Sequence, residues 1–62
     1  MDSELFKPGD KVEQVVMGWP GVITLDLRDN PFTAYHWEVH FNQDGKLLVS
    51  HVYQTEIKHR SE

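Results

Sequence analysis

The most regular pattern in the chain is an alternation of apolar and polar positions through residues 35–42. Aromatic and β-branched residues occupy one side of the alternation, and polar residues occupy the other. The apolar side is Tyr35, Trp37, Val39 and Phe41, and the polar side is His36, Glu38, His40 and Asn42. A period of two with one apolar side is typical of a half-buried antiparallel strand. The pattern therefore predicts a strand here, with its aromatic side in the core.

Apolar positions also recur with a period of two through residues 21–28, which predicts a second strand. Its buried side is expected to be Ile23, Leu25 and Leu27. Residues 11–17 alternate more loosely, and their expected buried members are Val12 and the pair Val15–Val16. The residues that we expect to be most deeply buried are Val12, Ile23, Leu25, Trp37, Val39 and Phe41.

The hairpin loop after the aromatic strand fits two turns. Asp44-Gly45 alone could form a two-residue type I′ turn, which pairs Gln43 with Lys46. A type I turn ending in a G1 bulge would instead pair Asn42 with Lys46. We favour the bulge.

The hairpin register decides where His51 lies. The bulge directs His51 toward the aromatic side of the hairpin, near Trp37. The tighter turn places it across from Glu38, on the polar side.

Turn residues separate the other elements. Pro8-Gly9 fits a type II turn, because proline presets φ and glycine supplies the positive φ that must follow. Asn30-Pro31 belongs to a second turn, where proline stops strand pairing. Residues 54–56 suit a single 3-10 turn, and Ile57-Lys58 a last short strand. Sustained helical spacing of apolar residues is absent from the sequence, so we predict essentially no α-helix.

Length and composition narrow the class of protein. The chain has 62 residues, 39% of them hydrophobic, and no cysteine. We predict one domain over residues 1–62, with 1–4 and 59–62 as flexible ends. The absence of cysteine excludes disulfides and fits a cytoplasmic location. Residues 1–4 are acidic, unlike the start of a signal peptide, and the apolar runs are too short to span a membrane.

The balance of charge bears on possible partners. Ten acidic residues oppose six basic ones, which gives a net charge of −4. Nucleic-acid binding that is independent of sequence depends on clustered lysine and arginine. The one basic cluster is Lys58-His59-Arg60, which we interpret as a solvated tail. A nucleic-acid partner is therefore disfavoured.

Three motifs resemble the small bacterial SH3-like barrels. They are Phe6-x-x-Gly9-Asp10-x-Val12, Gly18-x-x-Gly21-Val22-Ile23 and Val52-Tyr53-x-x-Glu56-Ile57, and with the aromatic hairpin they cover nearly the whole chain. The resemblance implies an all-β fold, a five-stranded SH3-like barrel with a single 3-10 turn before the last strand. Because the motifs consist of turns and core positions, they specify a fold more than a function.

Three groups with this fold resemble the chain in particular. The YccV-like family, which includes the heat-shock protein HspQ and was described as binding hemimethylated DNA, has a similar Gly-x-x-Gly-Val-Ile loop and a pair like Tyr35-His36; this chain lacks its long acidic insertion. The plasmid-borne type II dihydrofolate reductases have a similar start, but their pore-lining Val-Gln-Ile-Tyr run corresponds here to Ser50-His51-Val52-Tyr53, without the glutamine. Short uncharacterised bacterial and phage proteins match in length and in the Gly-Asp-x-Val start.

Histidine and glutamate on the polar side of the aromatic strand are the candidates for a metal site. His36 and His40 are four residues apart, with Glu38 between them. Their Cβ atoms would lie roughly 13 Å apart at ~3.3 Å per residue, whereas zinc needs ligand atoms about 2 Å away. The tighter hairpin turn would add His51 to this patch. We predict an exposed polar side with no metal site and no cofactor.

Aromatic residues in loops are the candidates for partner binding. Trp19 lies between Gly18 and Pro20, where it could anchor a partner, as interface tryptophans do, or cover one end of the barrel. Phe32, in the next long loop, allows the same two interpretations. In SH3-like barrels these loops flank one groove, to which Tyr53 could contribute. The candidate partner-binding residues are Trp19, Phe32, Tyr53 and His36.

The sequence therefore predicts a non-enzymatic interaction module that binds a protein partner or itself through an aromatic loop groove. A barrel of this size is filled by its own side chains, which disfavours a catalytic pocket in the monomer. One alternative is a nucleic-acid-binding or regulatory module, as the YccV-like resemblance implies. A less favoured one is a pore-type enzyme assembled by oligomerisation.

Overall fold

The chain folds into one antiparallel sheet, seen in a computed structural model that describes residues 6–60. The elements are β1 Lys11–Gln14, β2 Pro20–Asp26, β3 Trp37–Gln43, β4 Lys46–Val52, a 3-10 turn Gln54–Glu56 and β5 Ile57–His59. The strand order is β4-β3-β2-β1-β5. The described range contains no α-helix. The predicted all-β class, the five strands and the 3-10 turn before the last strand are confirmed.

A single buried cluster lies on one face of this sheet. Val52 on β4 and Ile57 on β5 both belong to it, although β4 and β5 are opposite edges of the sheet. The sheet therefore curls around its core. The cluster consists of Phe6, Val12, Ile23, Trp37, Val39, Phe41, Val52 and Ile57. Five of the six residues predicted to be most deeply buried belong to this cluster.

The exception is Leu25, whose side chain is 49% exposed. The pairing of β2 with β3 shifts between Ile23 and Leu25, so Thr24 forms a β-bulge. One extra residue reverses the side on which the next side chain lies. Leu25 consequently pairs with Glu38 on the outer face. The prediction that Leu25 faces the core is wrong, whereas Leu27 is buried as expected.

The prediction that Val15 and Val16 are buried is also wrong, since both side chains are exposed. β1 ends at Gln14, whose backbone carbonyl accepts a hydrogen bond of 2.8 Å from the N–H of Gly18. Gly18 has a φ of +77°, which lets the chain reverse there. The valine pair therefore occupies a turn rather than the continuation of the strand.

The hairpin between β3 and β4 adopts the tighter of the two predicted turns. Gln43 pairs with Lys46, and Asp44 and Gly45 both have positive φ, +53° and +90°. Positive φ at both central residues defines a type I′ turn. The bulged register that we favoured is wrong. Glycine and aspartate both tolerate this region, and the right-handed twist of the flanking strands favours the type I′ geometry.

We expect Gly45→Val to destabilise the chain by about 1 kcal/mol or more, because a β-branched residue tolerates positive φ poorly. The space around the position is open, so strain in the backbone is the expected cause rather than a clash. Urea denaturation measures the change. Gly45→Asn is the matched control, since asparagine tolerates this region better. Equal stability of the valine variant and the wild type would contradict the type I′ turn.

The two ends of the described chain are held against β1 and β2. The predicted turn at Pro8-Gly9 is present: Gly9 has a φ of +95° and donates a 2.7 Å hydrogen bond to the carbonyl of Ile23. At the other end, β5 extends to His59, and the N–H of Arg60 donates to the carbonyl of Lys11. The rest of the predicted flexible ends, residues 1–4 and 61–62, lies outside the described residues.

Candidate functional site

Three aromatic rings meet where β4 leads into the 3-10 turn. The ring of Tyr53 lies 4.6 Å from that of Tyr35 and 5.6 Å from that of His36, measured between centroids. Both tyrosines remain more than one-third exposed. This cluster joins the loop before β3 to the segment after β4. Two of the four candidate residues, Tyr53 and His36, are thereby brought together.

Hydrogen bonds hold the ring of His36 and the backbone at Tyr53. The backbone N–H of Gln54 donates to Nδ1 of His36 over 2.8 Å. A ring nitrogen that accepts carries no proton, so neutral His36 holds its hydrogen on Nε2. The backbone N–H of Tyr53 donates to Oε2 of Glu56, and the N–H of Glu56 donates back to the carbonyl of Tyr53. His36 and Glu56 therefore hold the backbone at Tyr53 from two sides.

Phe32 is the most exposed large apolar residue of the described chain, at 93%. It lies in the loop between β2 and β3, whose ends are joined by a 2.9 Å bond from the N–H of Leu27 to the carbonyl of His36. Within this loop the side chain of Asn30 accepts a hydrogen bond from the N–H of Phe32. Phe32 is thus displayed on a loop whose base adjoins the aromatic cluster.

Trp19 has a different environment. Its side chain is half-buried and packs against the core cluster. Among the ring pairs of residues 6–60, none includes Trp19 or Phe32, whereas two include Tyr53. The packing of Trp19 favours a cover over the core rather than an exposed anchor. We therefore leave Trp19 out of the candidate binding surface.

Trp19→Ala should lower the free energy of unfolding by about 2 kcal/mol, because it removes part of the apolar cover of the core. Thermal melts measure this loss, and sedimentation velocity measures any change in association. An unchanged melting temperature combined with weakened association would instead identify Trp19 as a partner anchor. Val16→Ala, at an exposed position of the same loop, is the control and should change neither quantity.

The outer face of the sheet carries a polar group centred on Glu38. Its carboxylate accepts a 2.9 Å hydrogen bond from Oγ1 of Thr24 and lies 3.3 Å from Nε2 of His51 and 3.6 Å from Nε2 of His40. The tight hairpin turn brings His51 to this place. No group of three or more histidine or acidic residues within 6–60 has a geometry that could hold a metal ion.

The hydroxyl of Thr24 is the main cause of a lowered pKa at Glu38, followed by the hydrogen bond with His51. We expect Thr24→Val to raise the pKa of Glu38 toward its ordinary value, measured by NMR titration of the carboxyl carbon. A folded-state pKa below the unfolded value adds stability at neutral pH, and this stability is lost as pH falls through the folded pKa. Thr55→Val is the matched control. An unchanged Glu38 titration in Thr24→Val would contradict this account.

A second ion pair covers one side of the core tryptophan. Arg28 binds Asp26 through a 2.8 Å contact of Nη2 with Oδ2, and its guanidinium lies 4.5 Å from the ring centroid of Trp37. The side-chain hydrogen bond from Arg28 is the largest cause of the lowered pKa of Asp26. This pair anchors the start of the loop that carries Phe32. The Arg28–Asp26 pair has a structural role, because the guanidinium packs on the ring of Trp37, which is fully buried.

A shallow depression on the described surface lies away from the aromatic cluster. It measures about 170 Å³ and is bordered mainly by Val22, His40, Leu47 and Arg60.

The prediction that Tyr35 lies on the core side of the strand is wrong, because its side chain is 38% exposed. Tyr35 continues the alternation of β3, but β3 begins at Trp37. The ring of Tyr35 instead packs on Tyr53 and lies 6.2 Å from that of His51. The signal available in the sequence was the tyrosine itself, since its hydroxyl favours sites that are partly apolar and partly wet.

Comparisons of the chain with protein-family models, with curated proteins and with solved structures found no match. A helix long and apolar enough to cross a membrane does not occur within the described residues.

Proposed function

We propose that the chain is a non-enzymatic interaction module with an SH3-like barrel fold. Its binding site would be the aromatic surface formed by Tyr35, His36 and Tyr53, to which Phe32 would contribute from the loop that ends at His36. Its ligand would be an extended, proline-containing segment of a protein partner. The meander order β4-β3-β2-β1-β5 and the single core shared by both edge strands support this fold.

The observation that carries the proposal is the exposed contact of Tyr35 with Tyr53, 4.6 Å between ring centroids. Two partly exposed tyrosines supply large contact area, and each ring loses little conformational freedom on binding. Their hydroxyls can hydrogen-bond to a peptide backbone while their faces pack on proline rings. Extended proline-rich segments bind aromatic-lined grooves in this way.

Charge and order at the site also support a peptide ligand. The net charge of −4 opposes the phosphate contacts on which nucleic-acid affinity depends. The hydrogen bonds of Gln54 to His36 and of Tyr53 to Glu56 hold the surface in place before a ligand arrives. A site that is already ordered loses less entropy on binding.

The test is a binding screen with an array of proline-containing peptides of about ten residues, the length of an extended recognition segment. NMR shifts of the tyrosine rings locate the site, and calorimetry measures affinity. We expect Tyr53→Ala to weaken the best peptide about tenfold or more, as the loss of an interface tyrosine does. Phe32→Ala, at a position that the fold does not need, should weaken it as well.

Leu47→Ala is the matched control, because Leu47 is exposed beside the hairpin turn and outside the aromatic surface. It should leave peptide affinity unchanged. Absence of peptide binding, or equal affinities of the wild type, Tyr53→Ala and Phe32→Ala, would overturn the proposal. A preference for single-stranded oligonucleotides that falls steeply with salt would instead favour the nucleic-acid-binding alternative.

A further inference from the structure

β4 is an edge of the sheet and pairs only with β3 among the described strands. In the type I′ turn, the N–H of Lys46 bonds to the carbonyl of Gln43. Because bonding direction alternates along an antiparallel strand, the backbone groups of Leu47, Val49 and His51 point away from β3. These three residues therefore present a row of free donors and acceptors at the edge.

The side chains of this edge are also uncovered and apolar. Leu47 is 69% exposed and Val49 is 52% exposed. β4 contains no proline, no glycine and no acidic residue, and its one charged residue is Lys46 at the start. Proteins usually protect a long edge with charge, proline or a bulge, and an edge without them is a template for pairing with another strand.

The edge is complementary to itself. A twofold axis through Val49 would pair Val49 with Val49 of a second copy and Leu47 with His51, all three being residues whose backbone groups are free. Two bonds for each such pair give about six intermolecular hydrogen bonds. The full length of β4 is used in this register, because Val49 is its central residue.

Charge favours this edge over the opposite one. β5 has three residues, and a twofold axis through its centre would place Lys58 against its own copy. Like charges directly opposite one another destabilise paired strands. At β4, two chains of net charge −4 would meet along a segment that contains no acidic residue.

The area available is that of a weak dimer. Seven residues at ~3.3 Å each make an edge about 23 Å long. Pairing along one strand edge of this length covers less than the ~800 Å² per partner of a standard interface. Association should therefore be reversible and dependent on concentration.

We propose that two copies of this chain associate through antiparallel pairing of their β4 edges around a twofold axis at Val49. The dimer has a continuous ten-stranded sheet, with the valine and leucine side chains of both copies in one row on its outer face. The short, basic β5 edges stay outside the interface, so the assembly closes at two copies.

Sedimentation velocity at loading concentrations from low micromolar to millimolar tests the proposal. We expect the wild type to shift from monomer to dimer across this range. Val49→Lys should weaken dimerisation about tenfold or more, because the two new ammonium groups would face each other across the axis. Val49→Pro should do the same, since it removes a donor that the monomer does not use for β3.

Val22→Lys is the matched control. Val22 and Val49 both lie next to His40 on the outer face of the sheet, on either side of it. Val22 belongs to β2, which is not an edge strand. It should leave dimerisation unchanged if the edge is the interface. Amide hydrogen exchange adds a second measurement: protection at Leu47, Val49 and His51 should rise with concentration, while that of Leu48 should not change.

Three outcomes would overturn the proposal. The first is a wild type that stays monomeric at millimolar concentration. The second is a dimer that Val22→Lys weakens as much as Val49→Lys, which would indicate face-to-face packing of two sheets. The third is a dimer with no added protection at the edge amides. Tyr53→Ala should leave dimerisation intact, so the peptide site and the dimer edge can fail separately.

Discussion

Phe41→Ala should leave the chain largely unfolded at 25 °C. Phe41 is fully buried on the inner face of β3 and belongs to the core cluster of the described residues. Replacing a buried phenylalanine with alanine costs about 3–5 kcal/mol, from lost burial and from the cavity left behind. Chains near 60 residues have only a few kcal/mol of stability in total. We expect circular dichroism to show no cooperative thermal transition in this variant.

Phe32→Ala is the control for that experiment, because it makes the same change at a position that is 93% exposed. Its free energy of unfolding should differ from that of the wild type by no more than about 0.5 kcal/mol, as is usual for surface substitutions, so its melting temperature should hardly change. Comparing Phe41→Ala with Phe32→Ala separates the effect of losing a buried side chain from the effect of replacing a phenylalanine at an exposed position. If Phe41→Ala melted cooperatively near the wild-type temperature, the assignment of the inner face of β3 would be wrong.

The inner face of β3 was predictable because its pattern is strong and uninterrupted. Trp37, Val39 and Phe41 alternate with polar residues, and all three are fully buried. Such a strand has one register in which its apolar side meets the core, and a slip by one residue would expose every member. The sequence therefore determines this strand without reference to its neighbours.

The outward position of Leu25 could not be predicted, because a bulge at Thr24 breaks the alternation that the sequence displays. Period-two patterns carry no information about where an extra residue is inserted. The structure shows what stabilises the bulge: the hydroxyl of Thr24 donates to the carbonyl and to the carboxylate of Glu38. These bonds link two strands, and the sequence does not say that the strands are neighbours.

The hairpin register was predicted wrongly for a related reason. Asn42, Asp44 and Gly45 suit both turns, and the choice depends on the twist of the flanking strands. The side chain of Asn42 accepts a 2.8 Å bond from the N–H of Gly45, which adds a local bond to the tight turn. This register places His51 beside Glu38 and leaves Val49 at the centre of the proposed dimer edge.

The candidate binding surface was predictable in part. Tyr53 and His36 were both expected to contact a partner, and the fold brings them together. Loop aromatics are harder to place, because exposure depends on where a strand begins or ends. Trp19 packs against the core, whereas Tyr35 precedes the first residue of β3 and lies at the surface.

Gly21→Ala should destabilise the chain by about 1–3 kcal/mol, as overpacking of a core does. Gly21 is buried in β2 and pairs with Phe41 on β3. A methyl group there would lie 2.7 Å from Cδ1 of Phe41 and 2.9 Å from Cγ1 of Val39. Alanine ordinarily stabilises a strand relative to glycine by roughly 0.5–1 kcal/mol, but these contacts are too short to be accommodated without displacing a buried ring.

A double-mutant cycle tests whether the ring of Phe41 is the cause. Phe41→Leu leaves a smaller side chain over Gly21, so the added methyl group in Gly21→Ala/Phe41→Leu meets less resistance. We expect the double variant to be more stable than the sum of the single changes predicts, with a coupling of about 0.5–3 kcal/mol measured by urea denaturation. Additive effects would mean that Phe41 does not lie over Gly21. A single Gly21→Ala variant as stable as the wild type would contradict the close approach of β2 and β3 altogether.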